Sequence, residues 1–522
     1  MRPPGRVSIA TIASVLWGVA IAVSVGGCLR DNPNHCANAG GDAHCVELQG
    51  PQSFCSRCTT ENAGCGSTRP SDSCHVEADS SAEAGEETVG SESEGGSESD
   101  TSVEVDCGGS GLDPTCPETM PYCVDGTCTP CSSAGGSSFC QGLDADEPIC
   151  LQAAGQCVAC VPDQREHCPH TQPFCNESFT CSGCTEHADC PESACDIERG
   201  TCFATSRVFW VSNDNPCPGN GTQADPYCEI KSALDEVRSP DFADFELHSE
   251  GVIKIVRTST PYTEAVLLST AQDKRIALIG VGSPAPMIRD TSEAVRVGNH
   301  RLYLSNLSLS HNEVAGLRSQ NRGRVWADDV TFTGNPTAIE VLSNARVGLR
   351  RVRVVGNDGD AVMLTGEARL SAVSSVIGNN GNEGADTVAL RVDGGARFDL
   401  LYTTVANNRG LGAAAIRCVD AGSSSLRNTI VVGPGLGSIQ CADAVYSNSY
   451  LDSAVPGEGV TVATSYDAAW FVNVGNGIFR PAPSHPFGDV AVWQLGDPLY
   501  DLAGAVRAWV PGRPDVAGAL LP

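Results

Sequence analysis

"ARVGLRRVRVVGN", residues 345–357, sets Arg346, Arg350, Arg351 and Arg353 among valines and a leucine. Taken alone it reads as a basic strand suited to nucleic acid. Set against the rest of the chain, it is one copy of a repeat. An arginine followed eleven residues later by an asparagine recurs in "RLYLSNLSLSHN" (301–312), "RVWADDVTFTGN" (324–335), "RVGLRRVRVVGN" (346–357), "RLSAVSSVIGNN" (369–380) and "RFDLLYTTVANN" (397–408). Successive copies start 23, 22, 23 and 28 residues apart. A period of that size marks a solenoid with one supersecondary unit per repeat.

Within each copy the positions one, three, six and eight after the arginine are mostly apolar, as in Leu302, Leu304, Leu307 and Leu309, or Val347, Leu349, Val352 and Val354. Alternation interrupted by two outward residues predicts two short strands with a bend between them. A third strand precedes each arginine: "AIEVL" (338–342), "AVMLT" (361–365) and "ALRVD" (389–393). The unit resembles one coil of a right-handed parallel β-helix. Helical repeats would need longer amphipathic runs, and the pattern of a leucine-rich repeat does not occur. One amphipathic helix is predicted, over "PYCEIKSALDEV" (226–237).

Stacking coils about 4.8 Å apart gives the columns a physical reading. Arg350 and Arg351 sit at the bend of their coil, where the preceding coil has Asp328 and Asp329. The two pairs are expected to face each other across adjacent rungs, as exposed ion pairs worth about 0–1 kcal/mol each. The column Asn312, Asn335, Asn357, Asn380 and Asn408 is expected to be a structural ladder, since stacked amides bond one another and asparagine accepts left-handed turns. The column Arg301, Arg324, Arg346, Arg369 and Arg397 needs something to offset its repulsion. Solvent or acidic neighbours such as Glu367 would do so, and so would an anionic ligand, because guanidinium forks suit carboxylate and sulfate.

The chain as a whole carries a net charge of −30, which excludes nucleic acid as a partner and disfavours anionic lipid surfaces. Arg2 and Arg6 precede the apolar run "VSIATIASVLWGVAIAVSV", which ends in Gly26, Gly27 and Cys28, the build of a secretory signal. Of 27 cysteines, removing Cys28 leaves even groups: six from Cys36 to Cys74, sixteen from Cys107 to Cys202, and the pairs Cys217/Cys228 and Cys418/Cys441. In an exported chain these read as disulfides, and the CxxC pairs 55/58, 128/131, 157/160 and 181/184 are not taken as metal or redox sites. Copies of a cysteine repeat lie at 116–131 and 168–184, with a looser one at Cys140–Cys160 and a truncated one at Cys190–Cys202. Between the two large groups, residues 76–106 hold eleven acidic residues and no basic ones, the composition of an extended linker. The expected organisation is a signal segment (1–27), a small cysteine-rich segment (28–75), the acidic linker (76–106), disulfide repeats forming a stalk (107–205) and a β-helix with a capping helix (206–522).

The "VGGC" ending at Cys28 resembles the bacterial lipobox, which implies lipidation of that cysteine. "FWVSNDNPCPGNGTQADPYCEIKSAL" (209–234) resembles the opening of secreted β-helix proteins, and "DLAGAVRAWVPGRPDVAGALLP" (501–522) their closing segment, without its aromatic-acidic finish. The whole layout is similar to surface lipoproteins of myxobacterial type. That resemblance implies an all-β chain held by lipid at the outer membrane, its pectate-lyase-like β-helix preceded by small disulfide-rich modules. β-Helices commonly host polysaccharide lyases and hydrolases. Here Asp358 and Asp360 lie in a turn sequence, His311 stands alone, and the three lysines, Lys231, Lys254 and Lys274, are upstream of the coils. No GxSxG elbow, Gly-His-Gly or Asp-Pro-His-Asp occurs, so no catalytic residue or metal ligand is assigned. The expected function is a non-catalytic binding, adhesion or structural module for anionic polysaccharide or a surface protein, without a cofactor. The alternative is a polysaccharide lyase or glycoside hydrolase, with calcium.

Overall fold

The computed structural model describes residues 107–522 apart from short internal stretches, the longest being 162–167 and 239–249, and before them the strand pair Phe54–Cys55 and Cys65–Gly66. Cys28, the rest of 28–75 and the linker 76–106 lie outside the described residues. Residues 101–522 form one unit, and most of it is a solenoid.

Three parallel sheets of ten, nine and eight strands are visited in turn by the chain. One coil shows the plan. Arg346–Arg350 enters the ten-stranded first sheet, Arg353–Val355 the nine-stranded second, and Val362–Thr365 the eight-stranded third. Every pairing between coils is parallel and in register, so Arg301, Arg324, Arg346, Arg369 and Arg397 align rung on rung. Arg275 extends the column by one rung below Arg301. Val347, Leu349, Val352 and Val354 are all buried in the solenoid interior, each contributing about 1.5–3 kcal/mol by leaving water.

The coil closes because each of its three corners has a left-handed residue. After the first strand these are Asn306, Asp329, Arg351, Ser374 and Tyr402. After the second they are His311, Gly334, Gly356, Asn379 and Asn407, and after the third Asn321, Ser343, Gly366 and Gly394. The ladder asparagines are thus not the left-handed residues themselves; each follows one. Freed from that task, they sit inside the corner. The Nδ2 of Asn312 donates to Asn335 Oδ1 at 2.8 Å, and the same bond runs from Asn335 to Asn357, Asn357 to Asn380 and Asn380 to Asn408 at 3.0, 2.8 and 3.0 Å. Each backbone N–H in the series donates to the same Oδ1.

The capping helix spans Ile230–Arg238 and buries Ile230, Ala233, Leu234 and Val237 against the first coils. It starts four residues later than its amphipathic pattern predicts. Tyr227 instead bridges Val211 as an extended residue, Cys228 is tied to Cys217, and the Glu264 carboxylate accepts from the first helical N–H groups. Cys418 and Cys441 are joined further along the solenoid.

Residues 107–202 form four modules with one wiring: first cysteine to third, second to fourth. The bridges are 107–123 and 116–128, 131–150 and 140–157, 160–175 and 168–181, 184–195 and 190–202. The repeat is therefore offset from the copies read in sequence, and its last member is complete rather than truncated. Each described CxxC straddles a boundary: its first cysteine closes one module and its second opens the next. With little apolar core, each module depends on these bridges, worth about 2–4 kcal/mol apiece.

The modules do not stand off as a stalk. Phe203, directly after the fourth, packs on Tyr303 of the first sheet, and Phe179 of the third joins Trp493 in a second apolar cluster. That cluster is built on the outer face of the second sheet, from Val376, Ala406 and Ile430, by C-terminal residues including Phe471, Phe479 and Phe487. Contact is so close that a Cβ on Gly378 would lie 2.3 Å from the Phe479 ring. The closing segment 501–522 is thus a flank of the solenoid. Its Arg507, fully buried, lies 4.0 Å over the Tyr402 ring and pairs with Asp515 at 3.3 Å.

Candidate functional site

The outer face of the first sheet gathers the residues singled out in sequence. Strand alternation turns Arg346, Gly348 and Arg350 outward while Val347 and Leu349 go in. The arginine column runs along one margin of this face, and the lower rungs are answered by the fourth module. Asp196 Oδ2 lies 3.3 Å from Arg275 Nε. Glu198 lies 2.5 Å from Arg301 Nε and also pairs with Arg324, while Asp273 takes the other side of Arg301. None of these acids was expected as a partner. The signal in "CDIERGTC" is only that two carboxylates sit in a tight disulfide loop.

Higher up, Asp399 and Glu367 stand near the column. Burial, and then the cations of Arg397 and Arg346 on the adjacent rungs, hold the Arg369 guanidinium below the ordinary arginine range, against smaller opposing effects of Asp399 and Glu367. The Glu367 carboxylate accepts from Asn344 Nδ2 at 3.1 Å. Asp399, on the floor of the face, accepts from Ser425 Oγ at 2.6 Å.

At the opposite margin, Asp328 and Asp329 meet Arg350 and Arg351. Arg350 Nη2 lies 2.7 Å from Asp328, and Arg351 Nη2 lies 2.9 Å from Asp328 and 3.0 Å from Asp329. These are not simple exposed pairs. Asp328 is 4% exposed, and Glu186 of the fourth module joins at 3.5 and 3.6 Å. A cavity of about 470 Å³ opens beside them, lined by Glu177, Glu186, Arg350, Arg351 and Tyr500. Nearby, burial pushes the His187 imidazole down to about 4, with the Arg350 cation adding to the effect. His187 Nδ1 accepts from the Cys195 N–H at 3.2 Å.

Other residues fall to structural roles. Asp360 accepts from Arg391 Nε at 2.6 Å and from the Val388 N–H at 2.8 Å. His311 is a corner residue whose ring lies over Gly334. The third sheet has its own outward ionic run, in which Glu293 and Glu340 hold Arg318 at 2.6 and 2.5 Å. It lacks the regular spacing by which the first column is recognised in sequence. Among the described residues, the cysteine clusters that could be taken for metal sites are the disulfides, and no helix is long and apolar enough to cross a membrane.

Residues 93–208 match a family model described as a family of unknown function (DUF8331). No curated protein matches the chain. Among solved structures, pectate lyase Pel9A aligns over 60% of this chain and 96% of its own, at 11% identity and a TM-score of 0.36. YbhC of Escherichia coli aligns over 49% and 76%, at 13% identity and a TM-score of 0.31. A pectin methylesterase from Aspergillus niger aligns over 51% and 88%, at 12% identity and a TM-score of 0.26. The fold assignment rests on the strand register, not on these likenesses.

Proposed function

We propose that the first-sheet face binds an anionic polysaccharide without altering it, in a surface lipoprotein of the myxobacterial type that the sequence resembles. The observation that carries this reading is the environment of Arg369. Three guanidinium rungs, Arg346, Arg369 and Arg397, follow one another at sheet spacing, and the middle one is disfavoured by burial first and then by its two cationic neighbours. A polyanion lying along the rungs relieves that repulsion and is held by charge-assisted forks. The lower rungs show the chemistry within the chain itself, where Glu198 spans Arg301 and Arg324.

The lipid anchor rests on Cys28 after "VGG", and outer-membrane placement on Leu29 in the position where aspartate directs inner-membrane retention. The reading needs no cofactor and no nucleic acid, and a surface protein presenting carboxylates is a partner of the same chemistry. One experiment tests it: the full chain and its Arg346→Ala/Arg369→Ala/Arg397→Ala variant on a panel of polysaccharides, scored for retention and for bond cleavage. Retention of acidic polymers by the wild type, lost in the variant and without product, is expected. Release of fragments would overturn the non-catalytic reading in favour of a calcium-dependent lyase or a hydrolase. Labelling of the wild type, but not Cys28→Ala, by a fatty-acid precursor tests the anchor.

A further inference from the structure

Outward side chains of successive strands stack in register, so Tyr303, Trp326 and Gly348 share one column of the first sheet. Tyr303 and Trp326 lie ring on ring, 4.9 Å between centroids and 17° apart. Where the next ring of this stack would lie, the chain has glycine. A Cβ on Gly348 would touch only the Trp326 indole, at 3.4 and 3.9 Å, and the Val325 carbonyl at 4.0 Å. The following position, Ser371, is exposed. The indole face turned away from Tyr303 therefore looks onto a gap one rung wide that no side chain from its own column fills. Arg346 and Arg350 flank that gap from the same strand.

The other end of the column is closed. Tyr303 is 0% exposed. His187 of the fourth module and Phe203 directly after it pack edge-on against it, and its hydroxyl donates to Asp196 at 2.5 Å. A polymer lying along the rungs meets this wall just below Trp326.

We infer that the gap over Gly348 is a terminal subsite: Trp326 stacks the last ring of an acidic saccharide chain, Arg346 takes its carboxylate, and the remainder runs up past Ser371 toward Arg369 and Arg397. The inference rests on the polyanion reading above. Its chemistry is that of an aromatic face against the apolar C–H face of a sugar, beside a guanidinium fork matched to carboxylate. The wall makes the site select chain ends over chain interiors.

The test titrates the full chain with oligogalacturonates of defined length and with long polygalacturonate, followed by calorimetry. Terminal recognition predicts that binding at equal mass of sugar falls as chains lengthen, in proportion to the number of ends. Gly348→Val fills the gap with a side chain that an open strand position accepts, and should weaken binding of a short oligomer by about tenfold or more. Its unfolding midpoint should match that of the control Ser371→Ala. The subsite is overturned if Gly348→Val binds as the wild type does, or if binding at equal mass is independent of length. An arginine triple variant that binds normally overturns the polyanion reading itself. Loss of binding in that variant with retention in Gly348→Val overturns the subsite alone.

Discussion

Replacing Asn357 by alanine removes the middle rung of the amide ladder. Its Oδ1 accepts from Asn335 N and Asn335 Nδ2 at 3.1 and 3.0 Å, and its Nδ2 donates to Asn380 Oδ1 and to the Phe332 carbonyl at 2.8 and 3.1 Å. Not all four partners are stranded by the change. Asn335 Nδ2 also reaches the Leu309 and Thr333 carbonyls, and Asn380 Oδ1 keeps the N–H of residue 357. The Asn335 N–H and the Phe332 carbonyl lose a partner in a corner where Asn357 is 1% exposed. At about 1–3 kcal/mol for each of these two buried groups left unmade, the expected loss is about 2–6 kcal/mol. Urea unfolding followed by circular dichroism measures it, with the exposed Asn344→Ala as a control that should stay within about 0.5 kcal/mol of wild type. The double variant Asn335→Ala/Asn357→Ala should lose less than the sum of its parts, because both changes delete the same shared bonds. If Asn357→Ala were as stable as Asn344→Ala, the ladder would be packing without energetic weight.

Two further outcomes follow from the module interface. His187 titrates near 4 in the folded chain and near 6.5 when unfolded; with the folded value depressed, its contribution is present above pH 6.5 and is lost as pH falls toward 4. The wild type should therefore lose about 3 kcal/mol more than His187→Gln between pH 7 and pH 4, read from paired unfolding curves; parallel curves would refute this. Glu198→Gln frees Arg301 and Arg324 of a half-exposed partner, so stability should fall by less than about 1 kcal/mol. Binding of an acidic polysaccharide should meanwhile change by less than about twofold, because the chain end stops over Trp326, above these rungs, and a clear rise would show that the polymer reaches past the wall.

Much of the solenoid is legible in sequence because its constraint is periodic. A left-handed corner, an inward pair and an amide must recur at each coil, and five copies of Arg-x10-Asn record that repetition. The pairing of Asp328 and Asp329 with Arg350 and Arg351 follows from register alone. What register does not carry is contact between distant segments. Glu198 lies 126 residues from Arg324, and Trp493 reaches Phe179 across the modules; neither partner has a spacing or composition that marks it. The helix starts later than its pattern predicts for a related reason, since amphipathic pattern is silent about Tyr227 being drawn into an extended bridge. The Gly348 gap is visible in sequence only as one small residue in a column of varied ones, and it acquires meaning once Tyr303 and Trp326 are known to stack.

The handover of one module to the next within a CxxC has a mechanical consequence. Between Cys107 and Cys202, every loop of 11 to 19 residues is closed by a covalent bridge, and consecutive modules are separated by two residues. A pull applied at Cys107 cannot draw this stretch out as a free chain of its own length. Load crosses each module through sulfur and arrives at the first coils with little extension on the way. Under tension the segment behaves as a short inextensible tie, whose give appears only when its bridges are reduced.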